Sequence, residues 1–324
     1  MKKTLRNTSL SLVAAAVMTV AQATSPVFAS PSVVDTISVG VGPMSVAFSP
    51  NGTHAYVANA DIGIVSVISV ATGDVTDSIT VGEFPTSVAF SPNGTHAYVT
   101  NANDDTVSVI TVATGDVTDT ISVGDFPCSV AFSPDGTHAY VANTYGIGGT
   151  VSVITVATGD VTDTIDAGDF PQSLAFSPNG THAYVANSDD DTVSVITVAT
   201  GDVTDTIDVG DMPFSVAFRP NGKKAYVANY YDDTVSVINV ATSTVSRTIR
   251  VGNGPISVAF SPNGKKAYVA NFFGDTVSVI NVGTSTVSRR IRVGDYPHSV
   301  AFSPNGAKAY VTNYSGHNVS VIKN

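Results

Sequence analysis

Ser257-Val258-Ala259-Phe260-Ser261-Pro262-Asn263-Gly264-Lys265-Lys266-Ala267-Tyr268-Val269-Ala270-Asn271 is the phrase on which the whole chain is built. It recurs seven times with small changes. The Ala-Phe pair inside it begins at Ala47, Ala89, Ala131, Ala175, Ala217, Ala259 and Ala301, in steps of 42, 42, 44, 42, 42 and 42 residues. A fixed period of roughly 20–50 residues marks a repeat architecture.

Working outward from the phrase, each unit holds four short strands. In the first unit they are Ser45–Phe48, Ala55–Ala58, Val65–Val70 and Val75–Val81. The third strand alternates, with Val65, Val67 and Ser69 on one face and Ser66, Ile68 and Val70 on the other. That period of two, rich in β-branched residues, is the strand signal. Ser49-Pro50-Asn51-Gly52 is a tight turn, because Pro presets φ and Gly supplies positive φ. Thr72-Gly73-Asp74 turns the third strand into the fourth. No helical period follows the N-terminal segment. The pattern predicts an all-β fold, a closed seven-bladed β-propeller of four-stranded blades.

The two ends of the chain share one blade. The last unit stops after its third strand, at Val319–Asn324. The first unit is preceded by Val34-Asp35-Thr36-Ile37-Ser38-Val39-Gly40, which matches the fourth strand Val117–Gly124. The N-terminal strand is therefore expected to complete the last blade and close the ring, which answers the hazard of an open sheet edge.

Tyr98-Val99-Thr100-Asn101 and Tyr310-Val311-Thr312-Asn313 spell YVTN, and the other five copies read Tyr-Val-Ala-Asn. With Ser-Pro-Asn/Asp-Gly and Asp-Thr-Val-Ser-Val-Ile, the chain resembles the YVTN (YncE-like) β-propeller repeat family over residues 33–324. The resemblance implies a propeller similar to surface-layer and periplasmic proteins. DNA binding occurs in that family, and related seven-bladed folds include lactonases and quinone-cofactor dehydrogenases. The absence of Trp separates the chain from WD40 propellers.

The N-terminus reads as a secretory signal peptide over residues 1–29. Lys2, Lys3 and Arg6 precede an apolar run from Leu10 to Ala21, with cleavage expected after Ala23 or Ala29. The run is too short to span a bilayer comfortably. Export to the periplasm, the cell surface or the medium follows, and residues 33–324 form the propeller. Cys128 is the single cysteine, so an intrachain disulfide is excluded.

Charge is divided along the chain. Residues 33–210 hold 21 Asp and Glu and no Lys or Arg, whereas residues 211–324 hold 5 acidic and 12 basic residues. The ring is expected to carry an acidic arc over four blades and a basic arc over three. Descent from two duplication lineages would produce this. So would selection for head-to-tail assembly or for a polyanion surface, since clustered charge steers association.

Variation gathers in two loops per unit, between the fourth and first strands and between the second and third. Both emerge on one face of the disc, where a rigid scaffold carries function. The residue after each loop proline stands at the mouth of the central channel. This ring of Met44, Thr86, Cys128, Gln172, Phe214, Ile256 and His298 is the candidate ligand-binding site. Tyr145, Asp190, Tyr230, Tyr231, Phe272, Phe273 and Tyr314 mark the same face as a partner surface.

No catalytic residue set is expected. His54, His96, His138 and His182 recur one per blade in turns of the opposite face and cannot converge on one ion. His298 and His317 share the variable face. The Asp-rich loops, Asp189-Asp190-Asp191 above all, lack an EF-hand pattern and read as solvated turn carboxylates. There is no Gly-x-Ser-x-Gly elbow. No metal site and no cofactor are expected. Arg219, Lys223, Lys224, Lys265, Lys266 and Lys308 lie in turns away from the aromatic residues, so basic and stacking groups do not interleave as nucleic-acid binding prefers. The Asn-Gly-Thr turns at Asn51, Asn93 and Asn179, with Asn318-Val319-Ser320, are also glycosylation sequons.

The expected protein is therefore an exported binding or structural scaffold presenting one variable face to an envelope or extracellular protein or glycan. Two alternatives stand beside it. One is a small-ligand, lactonase-like or quinoprotein-like enzyme at the channel mouth. The other is DNA binding through blades 5–7. A monomeric ring is expected, with head-to-tail association open.

Overall fold

The computed structural model describes residues 30–145 and 148–324. The expected leader and both of its cleavage positions lie outside the described residues, as do Gly146 and Ile147 in a loop of blade 3.

The strands form seven four-stranded antiparallel sheets, one per repeat. In blade 1 they are Pro43–Phe48, His54–Asn59, Ile64–Ser69 and Val75–Thr80, running from the ring axis outward. Ser32–Ser38 pairs with Asn318–Lys323 and supplies the outermost strand of blade 7, as the split repeat predicts.

Burial follows the sequence pattern. In the second strand of blade 1, Ala55, Tyr56, Val57, Ala58 and Asn59 are all buried. The third strand buries its four central residues. Of the outermost strand only Ile79 is buried, so charge and threonine are tolerated there.

The repeated Tyr and Phe of the phrase join neighbouring blades. Tyr56 packs on Phe90 at 4.7 Å between ring centroids, and the same pair recurs at each blade junction at 4.6–4.7 Å. Tyr310 packs on Phe48 at 4.7 Å across the closing seam, so the ring shuts with the contact used elsewhere. Tilted aromatic pairs contribute about 0.5–1.5 kcal/mol beyond their burial. Near the axis, Ser45 Oγ accepts from the Val88 N–H of the next blade at 3.2 Å, and Ser87 accepts from Val130 at 3.3 Å.

The turns between first and second strands behave as read from sequence. Asn51 Oδ1 accepts from Ser49 Oγ at 2.7 Å and from the Thr53 N–H at 3.0 Å. His54 Nδ1 lies 2.8 Å from Thr53 Oγ1, inside its own turn.

Candidate functional site

The variable face is assembled by backbone–carboxylate clasps. Asp104 Oδ2 accepts from the Glu83 N–H at 2.7 Å and holds the loop that enters blade 2. Asp105 Oδ1 accepts from the Phe126 N–H at 2.8 Å and holds the loop that leaves it. The pattern recurs: Asp190 binds Asp169 N at 2.7 Å, Asp191 binds Met212 N at 2.8 Å, and Asp232 binds Asp211 N at 2.9 Å. Asp190 and Asp191, read from sequence as solvated turn carboxylates, are exposed and also serve as structural acceptors. Their partners are 21 residues away, beyond the reach of a local reading. Among the described residues no group of three or more His, Cys, Asp or Glu is placed to hold a metal ion.

The asparagine of the signature lies beneath these clasps. Asn271 is fully buried. Its Oδ1 accepts from the Gly252 N–H at 3.0 Å, and its Nδ2 donates to Thr276 Oγ1 at 3.1 Å and Ser278 Oγ at 3.0 Å. The glycine is required, because a Cβ on Gly252 would stand 2.5 Å from Asn271 Cγ. One buried amide thus ties the loop to the third strand.

The seven channel-mouth residues occupy equivalent positions in the innermost strands. Thr86 and Ile256 are buried and the other five are half-buried. Three polar members are bound to the neighbouring blade. Thr86 Oγ1 donates to the Pro127 carbonyl at 2.9 Å. Cys128 Sγ lies 2.9 Å from the Pro171 carbonyl, and burial pushes its thiol up to about 12, which favours the protonated form. His298 Nδ1 lies 2.8 Å from the Met44 carbonyl. A carbonyl only accepts, so Nδ1 carries the proton and Nε2 keeps its lone pair. Burial holds this imidazole at about 4, although the bond to Met44 opposes the shift. Gln172 remains as the polar member with no recorded side-chain hydrogen bond among the described residues.

The aromatic residues of blades 5–7 converge. Tyr230 packs against Phe214 at 5.0 Å, Tyr231 at 5.3 Å and Phe273 at 5.5 Å. Phe272 reaches Tyr296 at 4.8 Å and His298 at 6.2 Å, and His298 reaches Tyr314 at 6.4 Å. Tyr314 donates to Asp61 Oδ1 at 3.1 Å, carrying the belt to blade 1. Tyr231 is 65%, Phe273 52% and Tyr296 41% exposed. A second group joins Tyr145 to Phe126 at 4.6 Å and Phe170 at 5.4 Å. The belt joins five of the partner-face residues to Phe214 and His298 of the channel mouth, while Tyr145 stands with the second group and Asp190 with the clasps.

Sequence reasoning missed Tyr296, Phe84, Phe126 and Phe170. All four have positive φ, at 54°. Gly42 and Gly254 hold the equivalent position in blades 1 and 6, with φ of 66° and 64°. The backbone there suits glycine, and a bulky side chain in that region is an outlier. The glycines before Pro43 and Pro255 were the signal that the aromatics elsewhere are strained.

The basic arc is partly committed. Arg289 Nη1 donates to the Pro31 carbonyl at 2.9 Å, Arg290 Nη2 to the Val251 carbonyl at 2.8 Å, and Lys308 Nζ to the Val70 carbonyl at 2.8 Å. The turn lysines lie at the opposite end of the strands from the aromatic belt.

Fold and site together define a closed seven-bladed propeller whose loops individualise one face. The chain belongs to the family described as "Lactonase, 7-bladed beta-propeller", whose model matches residues 17–213, more than half of its length. Residues 179–271 also match the family described as "YNCE-like beta-propeller". Among solved structures, Kuenenia stuttgartiensis hydrazine synthase is similar at a TM-score of 0.83 and 24% identity, covering 89% of this chain and 97% of that one. At that identity the likeness is one of fold. No curated protein matches the chain.

Proposed function

We propose that the chain is an exported binding scaffold whose variable face takes an envelope or extracellular protein or glycan on the aromatic belt of blades 5–7. The observation that carries the reading is Tyr296, an aromatic side chain 41% exposed on the left-handed backbone that blades 2–5 also give to Phe or Met and that blades 1 and 6 give to glycine. Such strain costs on the order of 1–3 kcal/mol and marks functional positions. The neighbouring Tyr231 and Phe273 extend the exposed surface, and exposed aromatics supply contact area at little entropic cost. Export is supported by the basic, apolar and small-residue pattern of residues 1–29.

The reading is tested by immobilising the purified chain and passing separated glycan and protein fractions of the cell envelope over it. Tyr231→Ala/Phe273→Ala should lower binding at least about tenfold, since one contact of 1.4 kcal/mol is a factor of ten. Lys223→Ala/Lys265→Ala, on the opposite face, should leave binding unchanged. Equal binding by wild type and the aromatic variant contradicts the reading.

A small-ligand or lactone-directed activity at the channel mouth is the second reading, supported by the family match over residues 17–213. Gln172 and His298 Nε2 are the polar groups available to it. Gln172→Ala/His298→Ala should then abolish turnover of any lactone the wild type hydrolyses. No turnover by the wild type across a lactone panel removes this reading.

A further inference from the structure

The outermost strands form the rim of the disc, and one register position on them decides its charge. That position pairs with the third strand at Val195↔Asp205 in blade 4 and at Val237↔Arg247 in blade 5. In blades 7, 1, 2 and 3 it is held by Asp35, Asp77, Asp119 and Asp163. Blade 6 carries Arg289. Five rim edges are therefore acidic and two basic at the same position. A second position repeats the contrast at the same seam, with Thr192↔Asp208 in blade 4 and Thr234↔Arg250 in blade 5.

Charged side chains and bulges ordinarily keep sheet edges apart. Bulges are present here, for example between Val195 and Ile196. A rim of one sign repels every copy of itself. A rim of two signs blocks Asp–Asp and Arg–Arg contacts but leaves Asp–Arg contacts attractive, which selects one docking arrangement.

We infer that two copies of this chain associate rim to rim at the junction of blades 4 and 5, about a twofold axis parallel to the ring axis. Blades are related by rotation about the ring axis, so Asp205 and Arg247 stand at one height along it, as do Asp208 and Arg250. A twofold axis parallel to the ring axis preserves height. It sets the acidic rim of blade 4 of each copy, with Asp205 and Asp208, against the basic rim of blade 5 of the other, with Arg247 and Arg250 at the same two heights, and the contact occurs twice. Such a contact is self-complementary and closed.

Two observations place the contact here and not on the second acidic–basic seam, between blades 6 and 7. There Arg289 is already bound to the Pro31 carbonyl, whereas Arg247 and Arg250 are exposed with no recorded side-chain hydrogen bond among the described residues. At that seam the second position of blade 7 is Ser38, which offers no charge to Arg292.

The test is sedimentation of the purified chain at low ionic strength and again near 1 M salt, where the Debye length is roughly 3 Å. The wild type should sediment at twice the chain mass at low salt and at one chain mass at high salt. Arg247→Asp/Arg250→Asp and Asp205→Arg/Asp208→Arg should each be monomeric at low salt. The quadruple variant carrying both pairs of changes should recover the dimer, and that recovery shows that the double variants failed by charge and not by misfolding. Wild type that stays monomeric at low salt, open-ended polymers, or a quadruple variant that stays monomeric with a native melting profile would each overturn the inference. Heparin retention lost in Arg247→Asp/Arg250→Asp without any wild-type dimer would assign the basic edge to a polyanion instead.

Discussion

Asp105 and Phe126 are joined across a blade junction, the Asp105 carboxylate accepting from the Phe126 backbone N–H at 2.8 Å. The bond fixes the loop that carries an aromatic ring onto the variable face. A hydrogen bond to a charged acceptor contributes about 1.5–3 kcal/mol when sheltered, and less when solvent competes. Asp105→Ala should therefore destabilise the protein by about 1–2 kcal/mol. Asp105→Asn keeps an acceptor and tolerates φ of 56°, so it should be close to neutral. Urea unfolding midpoints of the two variants check this, and equal losses would contradict the clasp.

The signature asparagine makes a larger prediction. Asn271→Ala removes one acceptor of the Gly252 N–H, which keeps only Ser278 Oγ at 3.2 Å, and takes the amide donor away from Thr276 Oγ1 and Ser278 Oγ. The cost should be about 2–4 kcal/mol, the sum of the lost hydrogen bonds and a small cavity. Gly252→Ala should be comparably damaging, because its new Cβ meets Asn271 within 2.5 Å. Denaturant unfolding that tolerates either change would remove the asparagine from its structural role.

His298 sets a pH dependence. Its folded-state value is depressed to about 4 from the ordinary 6.5. The unfolded chain then binds the extra proton between these values. Stability from this group is complete above about pH 6.5 and is lost as pH falls towards 4. Part of the side chain reaches solvent, which limits the effect to about 1–2 kcal/mol. His298→Gln should flatten the fall of melting temperature between pH 7 and 4 relative to wild type. An unchanged slope would show that the imidazole is not desolvated.

Tyr296 separates stability from binding. Replacing it by glycine relieves a left-handed backbone but gives up the packing on Phe272 at 4.8 Å. The two effects are each about 1 kcal/mol and opposed. Tyr296→Gly should leave the melting temperature nearly unchanged while weakening capture of envelope fractions. A large fall in melting temperature would mean that the ring serves the fold.

Much of this structure was legible in the repeated phrase. Phe260 and Tyr268 recur with the same spacing in every unit, so blade number, strand order and the sharing of blade 7 by the two ends followed from counting. The face carrying Tyr230, Tyr231, Phe272 and Phe273 followed from which loops vary. What was not legible depends on pairing across loops. Asp191 and Met212 are 21 residues apart, and nothing local marks that carboxylate as an acceptor for that N–H. Tyr296 was passed over because its loop belongs to the other family, and only comparison with Gly42 and Gly254 shows its strain. The repeat puts Thr86, Cys128 and His298 at the channel mouth, but their bonds to carbonyls of the neighbouring blade arise from how successive blades pack and leave no mark in the sequence.

The most direct measurement is hydroxyl-radical footprinting of the chain with and without the envelope fraction that it retains. Tyr231, Phe273 and Tyr296 should be protected in the complex, while Pro178, Lys223 and Lys265 at the opposite end of the blades should label equally in both states. Protection confined to that opposite end, or no protection of the three rings, would contradict an aromatic binding face.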